Sequence, residues 1–138
     1  MFKGIWLMYL VFLGALFVGL GVVYVRWAPS AVTDWHQPIA ATADVSRPSG
    51  AVRIVSGDAQ DFAALDVEIR ALPRTEVLAG TVDEGRVTYV TRSAVLGFPD
   101  YTTIEQRDGQ IAAYARLRFG HYDFGVNAQR LAGLSGLQ

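Results

Sequence analysis

The chain contains no cysteine. Disulfides therefore do not staple this fold, and a thiol nucleophile and a cysteine-linked lipid anchor are both excluded. Only two histidines occur, His36 and His121, with no His-x-His or His-x-x-x-His spacing, so no metal-ligand set is present. Phosphate-cradling loops, the Gly-x-Gly-x-x-Gly turn and the Gly-x-Ser-x-Gly elbow are also missing. No cofactor and no catalytic residue is assigned from motif. Lysine is reduced to Lys3. Beyond residue 26 ten arginines face thirteen acids, a net charge of −3, which excludes the basic footprint of a nucleic-acid binder.

Charge is absent from one long stretch, Ile5 to Val25, which holds 21 residues. At about 1.5 Å per residue such a helix spans roughly 30 Å, the thickness of a bilayer core. Trp6 lies near one end, and Tyr24 and Trp27 near the other, where interfacial aromatics belong. Lys3 and Arg26 are the end charges. A cleavable signal peptide has a shorter apolar region and a small-x-small site, whereas the chain continues "WAPSAVTDW". Residues 1–27 are therefore read as a single transmembrane helix with its flanks. It carries an Ala15-x-x-x-Gly19 pattern that lets helices approach closely. Lys3 and the terminal amine place the N-terminus in the cytoplasm. Residues 27–138 then lie across the membrane, in the periplasm for a bacterial inner membrane.

Residues 28–50 hold three of the five prolines and little periodicity, and read as a linker holding the domain off the membrane. Trp35 and His36 lie in it, and a linker tryptophan is expected to dock on the domain or the membrane surface. Residues 51–138 form the domain proper. "AVRIVSG" alternates as a short strand. Phe62, Leu65, Ile69 and Leu72 follow at helical spacing, with Asp58 as the cap and Pro73 as the stop. Asp61, Asp66 and Glu68 are read as the solvated face of that helix. Residues 75–82 and 86–93 form a hairpin across Asp83-Glu84-Gly85. Its second strand alternates in a way that makes one face mixed in polarity. Residues 101–107 and 110–119 form another hairpin across Asp108-Gly109, a strong turn signal. The loop "AVLGFPD" between them faces another chain or a membrane. A short helix closes the chain. The expected fold is α+β: an antiparallel four- to five-stranded sheet with two helices on one face, in the order β-α-β-β-β-β-α.

The C-terminal corner "FGHYDFGVNAQRL" concentrates polar residues. Arg116 and Arg118, two apart on a strand, point to the same side and repel unless acids or an anionic ligand lie between them. Three readings stand for the group Arg92, Arg118, Asp123, Asn127 and Arg130. In the first, Asp123 caps the last helix and an arginine locks the corner. In the second, the cluster binds a small anionic or lipid ligand, or a partner protein. In the third, Asp123 and His121 act as acid and base of a hydrolase while Arg118 holds an anion.

The corner resembles the C-terminal signature of the DUF1499 family, Ser-Arg-x-Gly-x-Ser-Asp-x-Gly-Val-Asn-x-x-Arg. Arg118, Gly120, Asp123, Gly125, Val126, Asn127 and Arg130 match it in position. Upstream, Arg92 and Gly97-Phe98-x-Asp100 resemble the family's Ser-Arg and Gly-Phe-Val-Asp-Asp, and "ALPRTEV" its helix-to-strand passage. Leu117 and Tyr122 stand where the family has serines, and its Ser-Pro-Asn-Cys segment is absent. The resemblance implies a domain of the same kind over residues 50–138. It marks Arg92, Asp100, Arg118, Gly120, Asp123, Gly125, Asn127 and Arg130 as a ligand-binding or structural corner. It implies no established activity. A non-enzymatic, membrane-anchored protein of the cell envelope is the resulting expectation.

Overall fold

The computed structural model describes residues 2–138, with side chains from Gly4 onward; the Lys3 side chain lies outside the described residues. Helix α1 runs unbroken from Phe2 to Trp27. Its apolar window is apolar on every side, and none of it is buried against the rest of the chain. A helix of that kind is stable where lipid surrounds it. By length and composition it is a candidate membrane anchor.

The domain is a six-stranded antiparallel sheet with helices on one face. In chain order the elements are α2 (Val32–Trp35), β1 (Val45–Arg47), β2 (Gly50–Ser56), α3 (Ala59–Arg70), β3 (Thr75–Thr81), β4 (Arg86–Arg92), β5 (Pro99–Arg107), β6 (Gln110–Leu117) and α4 (Val126–Ala132), followed by a 3-10 turn (Ser135–Leu137). The strand order is β1-β2-β6-β5-β4-β3. The α+β class holds, with six strands rather than four to five. The extra strand, β1, has three residues, too short for alternation to reveal.

The local signals explain the elements they mark. Asp58 accepts from the N–H groups of Gln60 and Asp61, and Asp61 returns a bond to the Asp58 N–H, completing a capping box for α3. Asp108 and Gly109 both have positive φ, at 51° and 74°, as a two-residue hairpin turn between β5 and β6 requires. Phe62, Leu65 and Ile69 of α3 join Leu131 of α4 against Val87, Tyr89, Ile104, Ile111 and Ala113 of the sheet. Both helices thus cover the same face.

Two acids of α3 are engaged by other elements, and one of them is buried. Asp66 is buried, accepting from the Tyr89 hydroxyl and pairing with Arg70 at 2.8 Å. Burial first, then the bond to Asp66, pushes the Tyr89 phenol far above its ordinary value. Glu68 accepts from Ser135 and Gly136, fastening the C-terminal turn to α3. Periodicity read both positions as polar and therefore wet; Glu68 stays partly exposed, but Asp66 is buried because its partner Tyr89 comes from another element.

Residues 28–50 do not stand off as an extended spacer. They fold back as a strap over the sheet face opposite the helices and end in β1. Trp35 stacks on Tyr101, with ring centroids 3.8 Å apart and planes 14° from parallel. His36 Nδ1 lies 2.9 Å from Thr88 Oγ1, which in turn meets Thr103 Oγ1 at 3.0 Å. Ile39 is buried with Val52 and Ala112 in a second apolar cluster. The mixed polarity expected of β4 is explained here: Thr88 faces a polar chain segment rather than water.

Candidate functional site

The strap is held by side chains that strand alternation brings to one face. Strand registers set Arg118 beyond the end of β6, next to Arg116 on the same side, with Tyr101 opposite Arg116. The Arg118 guanidinium donates to the carbonyls of Ala28 at 3.1 Å and Pro29 at 2.9 Å, and to the Tyr101 hydroxyl at 3.1 Å. Arg116 donates to the Trp35 carbonyl at 2.6 Å and lies over the rings of Trp35 and Tyr114. Arg107 donates to the carbonyls of Ile39 at 2.6 Å and Ala41 at 2.7 Å. Glu105 closes the set, accepting from the Ile39 N–H at 2.7 Å and pairing with Arg86 at 3.3 Å. A planar guanidinium serves two acceptors at once, which suits it to clamping a non-repetitive backbone. The gap between Arg116 and Arg118 is thus filled by strap carbonyls. Burial lowers the pKa of Arg116, with Tyr114 and Tyr101 acting in the opposite sense.

The corner is a different cluster on the other side of the sheet. The Asp123 carboxylate accepts from the N–H groups of Gly125 at 2.8 Å and Asn127 at 3.2 Å, and from the Asn127 side-chain amide at 2.9 Å. It therefore caps α4. Asn127 is fully buried, and its carbonyl oxygen accepts from Arg130, which pairs with Asp100 at 3.3 Å. Burial raises the Asp100 pKa, against the opposing pull of Arg130. Gly120 and Gly125 have φ of 97° and 78°, and a Cβ on either would meet open space, so their backbone angle is what calls for glycine. The Asp123 N–H donates to the Pro48 carbonyl at 2.7 Å, tying the corner to the β1–β2 turn.

The eight residues singled out in the sequence therefore divide. Asp100, Asp123, Asn127 and Arg130 form one continuous hydrogen-bonded network. Gly120 and Gly125 shape the turn around it. Arg118 belongs to the strap. Arg92 donates to the carbonyls of Arg26, in the last turn of α1, and Gly97. His121 is exposed and takes part in none of the corner's hydrogen bonds among the described residues. Its proposed partner Asp123 has both oxygens engaged in the cap.

Over nearly the whole domain the chain matches one family model, that of "Protein of unknown function (DUF1499)", across residues 30–136. The chain belongs to the DUF1499 family. The match begins within the strap, so the DUF1499 domain includes the segment that packs on the sheet. No curated protein and no solved structure matches the chain.

Sequence reasoning missed a groove beside the strap. It has a volume of about 350 Å³ and is lined by Ile39, Ala41, Val45, Val52 and Tyr114, with Arg47 among its walls. Val45 and Arg47 alternate on β1 to reach it, and Arg47 pairs with Gly50, whose other neighbour is Arg116. The signal available beforehand was the apolar pair Ile39 and Val45 inside a stretch otherwise read as spacer.

Proposed function

We propose that this DUF1499 protein is a membrane-anchored, non-enzymatic binding domain of the cell envelope, and that its ligand is a small anionic amphiphile such as a single acyl chain with a carboxylate or phosphate head. The groove carries this reading. Its volume lies in the range of small-molecule sites, its walls are apolar, and Arg47 supplies one cation for an anionic head. α1 acts as a single-pass anchor with its N-terminus in the cytoplasm, and the domain works in the periplasm of a bacterial inner membrane. The balance of Lys3 and the terminal amine against Arg26 and Asp34 supports that orientation. The engagement of Asp123 in the α4 cap supports binding over acid–base chemistry, because both carboxylate oxygens already accept from Gly125 and Asn127 rather than facing a substrate.

The full chain in lipid nanodiscs, titrated with the fluorescent fatty acid cis-parinaric acid, tests the assignment. Saturable binding is expected in the native chain and its loss in Val45→Trp, which fills the groove. Arg47→Gln should weaken binding about tenfold, the equivalent of one charge-assisted hydrogen bond. Titration curves that coincide for all three chains would defeat the assignment.

A further inference from the structure

The two ends of the sheet differ in chemistry. Registers set Arg47, Arg92, Pro99 and Leu117 at one end, and Ser56, Arg86, Arg107 and Gln110 at the other. The first end is the one that α1 reaches: Arg92 holds the Arg26 carbonyl, and Tyr24 of α1 meets Phe119 edge-on at 6.3 Å. Two loops project there. The β4–β5 loop exposes Val95, Leu96 and Phe98, and the corner exposes Tyr122, Phe124 and Val126. Val95 and Phe124 keep 84% and 83% of their surface open. Tyr122 and Phe124 pack only edge to face, at 5.1 Å. None of these side chains is needed for the core.

Between the β4–β5 loop and the end of α1 lies a cleft of about 230 Å³ lined by Arg26, Arg74 and Arg92. Glu76 and Ser93 line it too. None of the three arginines forms an ion pair among the described residues. Of the exposed acids, Asp58, Asp83, Glu84 and Asp108 sit in turns at the opposite end, while Glu76 lines the cleft beside the three arginines and Asp34 lies in α2.

We propose that this end is a membrane seat: the loops at 95–98 and 122–126 insert into the interfacial layer of the bilayer that α1 enters, and the Arg26–Arg74–Arg92 cleft takes the phosphate of an anionic phospholipid. The occupant is fixed by continuity with α1. A helix that ends in the same end of the sheet brings lipid headgroups to these loops, and exposed aromatics flanked by arginines match the chemistry of that layer. The acidic turns face away from the anionic surface. The domain thus lies on the membrane rather than standing off it.

The absence of cysteine makes the test clean. Val95→Cys, Phe124→Cys and, as the distal control, Asp83→Cys are each labelled with an environment-sensitive fluorophore in the full chain. The labelled chains are reconstituted in phosphatidylcholine vesicles with and without phosphatidylglycerol. The expected result is a blue shift and loss of emission at 95 and 124 with a quencher carried by lipid near the headgroup, and quenching by aqueous iodide at 83. Phosphatidylglycerol should deepen the effect, and Arg74→Gln should remove that difference while leaving the circular dichroism unchanged. Labels at 95 and 124 that respond to iodide as 83 does would overturn the seat. Shielding from both quenchers would mean a protein surface covers these loops and would overturn it equally. Insertion indifferent to phosphatidylglycerol would overturn the phosphate site. No label lies in the groove, so these outcomes are independent of amphiphile binding.

Discussion

Replacing Trp35 by alanine tests whether the strap is part of the fold. The ring is half-buried and stacked on Tyr101, which has no exposed surface of its own. Half-burial of a tryptophan removes on the order of 100 Å² from water, worth about 2.5 kcal/mol at roughly 25 cal/mol per Å². The aromatic pair adds about 1 kcal/mol. Water re-entering over Arg116 relieves part of its desolvation, an offset of about 0.5 kcal/mol in the other direction. The sum is a destabilisation of about 3 kcal/mol. For a domain of this size a kcal/mol is worth about 4 °C, so the midpoint should fall by about 12 °C.

The substitution is clean because the Trp35 carbonyl, which Arg116 and Thr103 share, stays in place. Thermal unfolding of the full chain followed by circular dichroism reads the effect, and Trp35→Phe should recover about half of it by restoring an aromatic face over Tyr101. A midpoint lowered by less than about 2 °C would refute the reasoning. Residues 28–44 would then be a peripheral tail resting on a self-sufficient sheet.

Two further outcomes follow from the corner and the C-terminal turn. Asp123→Ala removes the α4 cap, worth about 1 kcal/mol, and strips the buried Asn127 amide of an acceptor, worth about 1–3 kcal/mol more. Urea unfolding should show the combined loss, with Asp123→Asn recovering part of it. Glu68 is held below its ordinary value of 4.5, chiefly by the Ser135 N–H, against the opposing effect of burial, with the Gly136 N–H and the Ser135 hydroxyl assisting. A carboxyl depressed on folding stabilises above its unfolded value, and that contribution disappears as pH falls through the folded one. Glu68→Gln should therefore flatten stability against pH below about 4.5 and leave the slope above it unchanged.

What was legible in the sequence was local. The Asp58 cap, the Asp108-Gly109 turn and the Phe62–Leu65–Ile69 stripe each depend on residues within a few positions of one another. The Asp123 cap was legible for the same reason. The strap was not, because the bonds that clamp it to the sheet face join residues 52 to 90 positions apart and its composition is that of a spacer. Proline and alanine there give no sustained periodicity, and α2 and β1, at four and three residues, are too short to supply one. Polar residues such as Arg107, Arg116 and Arg118 can bind backbone or ligand, and local pattern does not distinguish the two. The same limit hid Asp66, an acid whose partner Tyr89 is supplied by another element.

The placement of the family signature bears on what it is for. Its residues do not converge on one open site. Arg118 grips Ala28 and Pro29, the first residues beyond α1, while Asp123 grips Pro48 through its N–H and starts α4 through its carboxylate. Arg130 reaches across to Asp100 at the start of β5, and Arg92 reaches the last turn of α1. Every one of these bonds lies at the end of the sheet nearest the anchor. An active site needs groups left unpaired and facing a substrate, whereas Arg118, Asp123, Asn127 and Arg130 use their capacity on backbone and on neighbouring side chains. Such an arrangement is a joint: it sets the angle between the membrane helix and the sheet, and with it the height of the 95–98 and 122–126 loops. Leu117 and Tyr122 leave that joint intact because neither supplies any of its hydrogen bonds through a side chain. On this geometry the signature positions the domain, and the proposed ligand recognition belongs to the groove and to the loops whose height the joint sets.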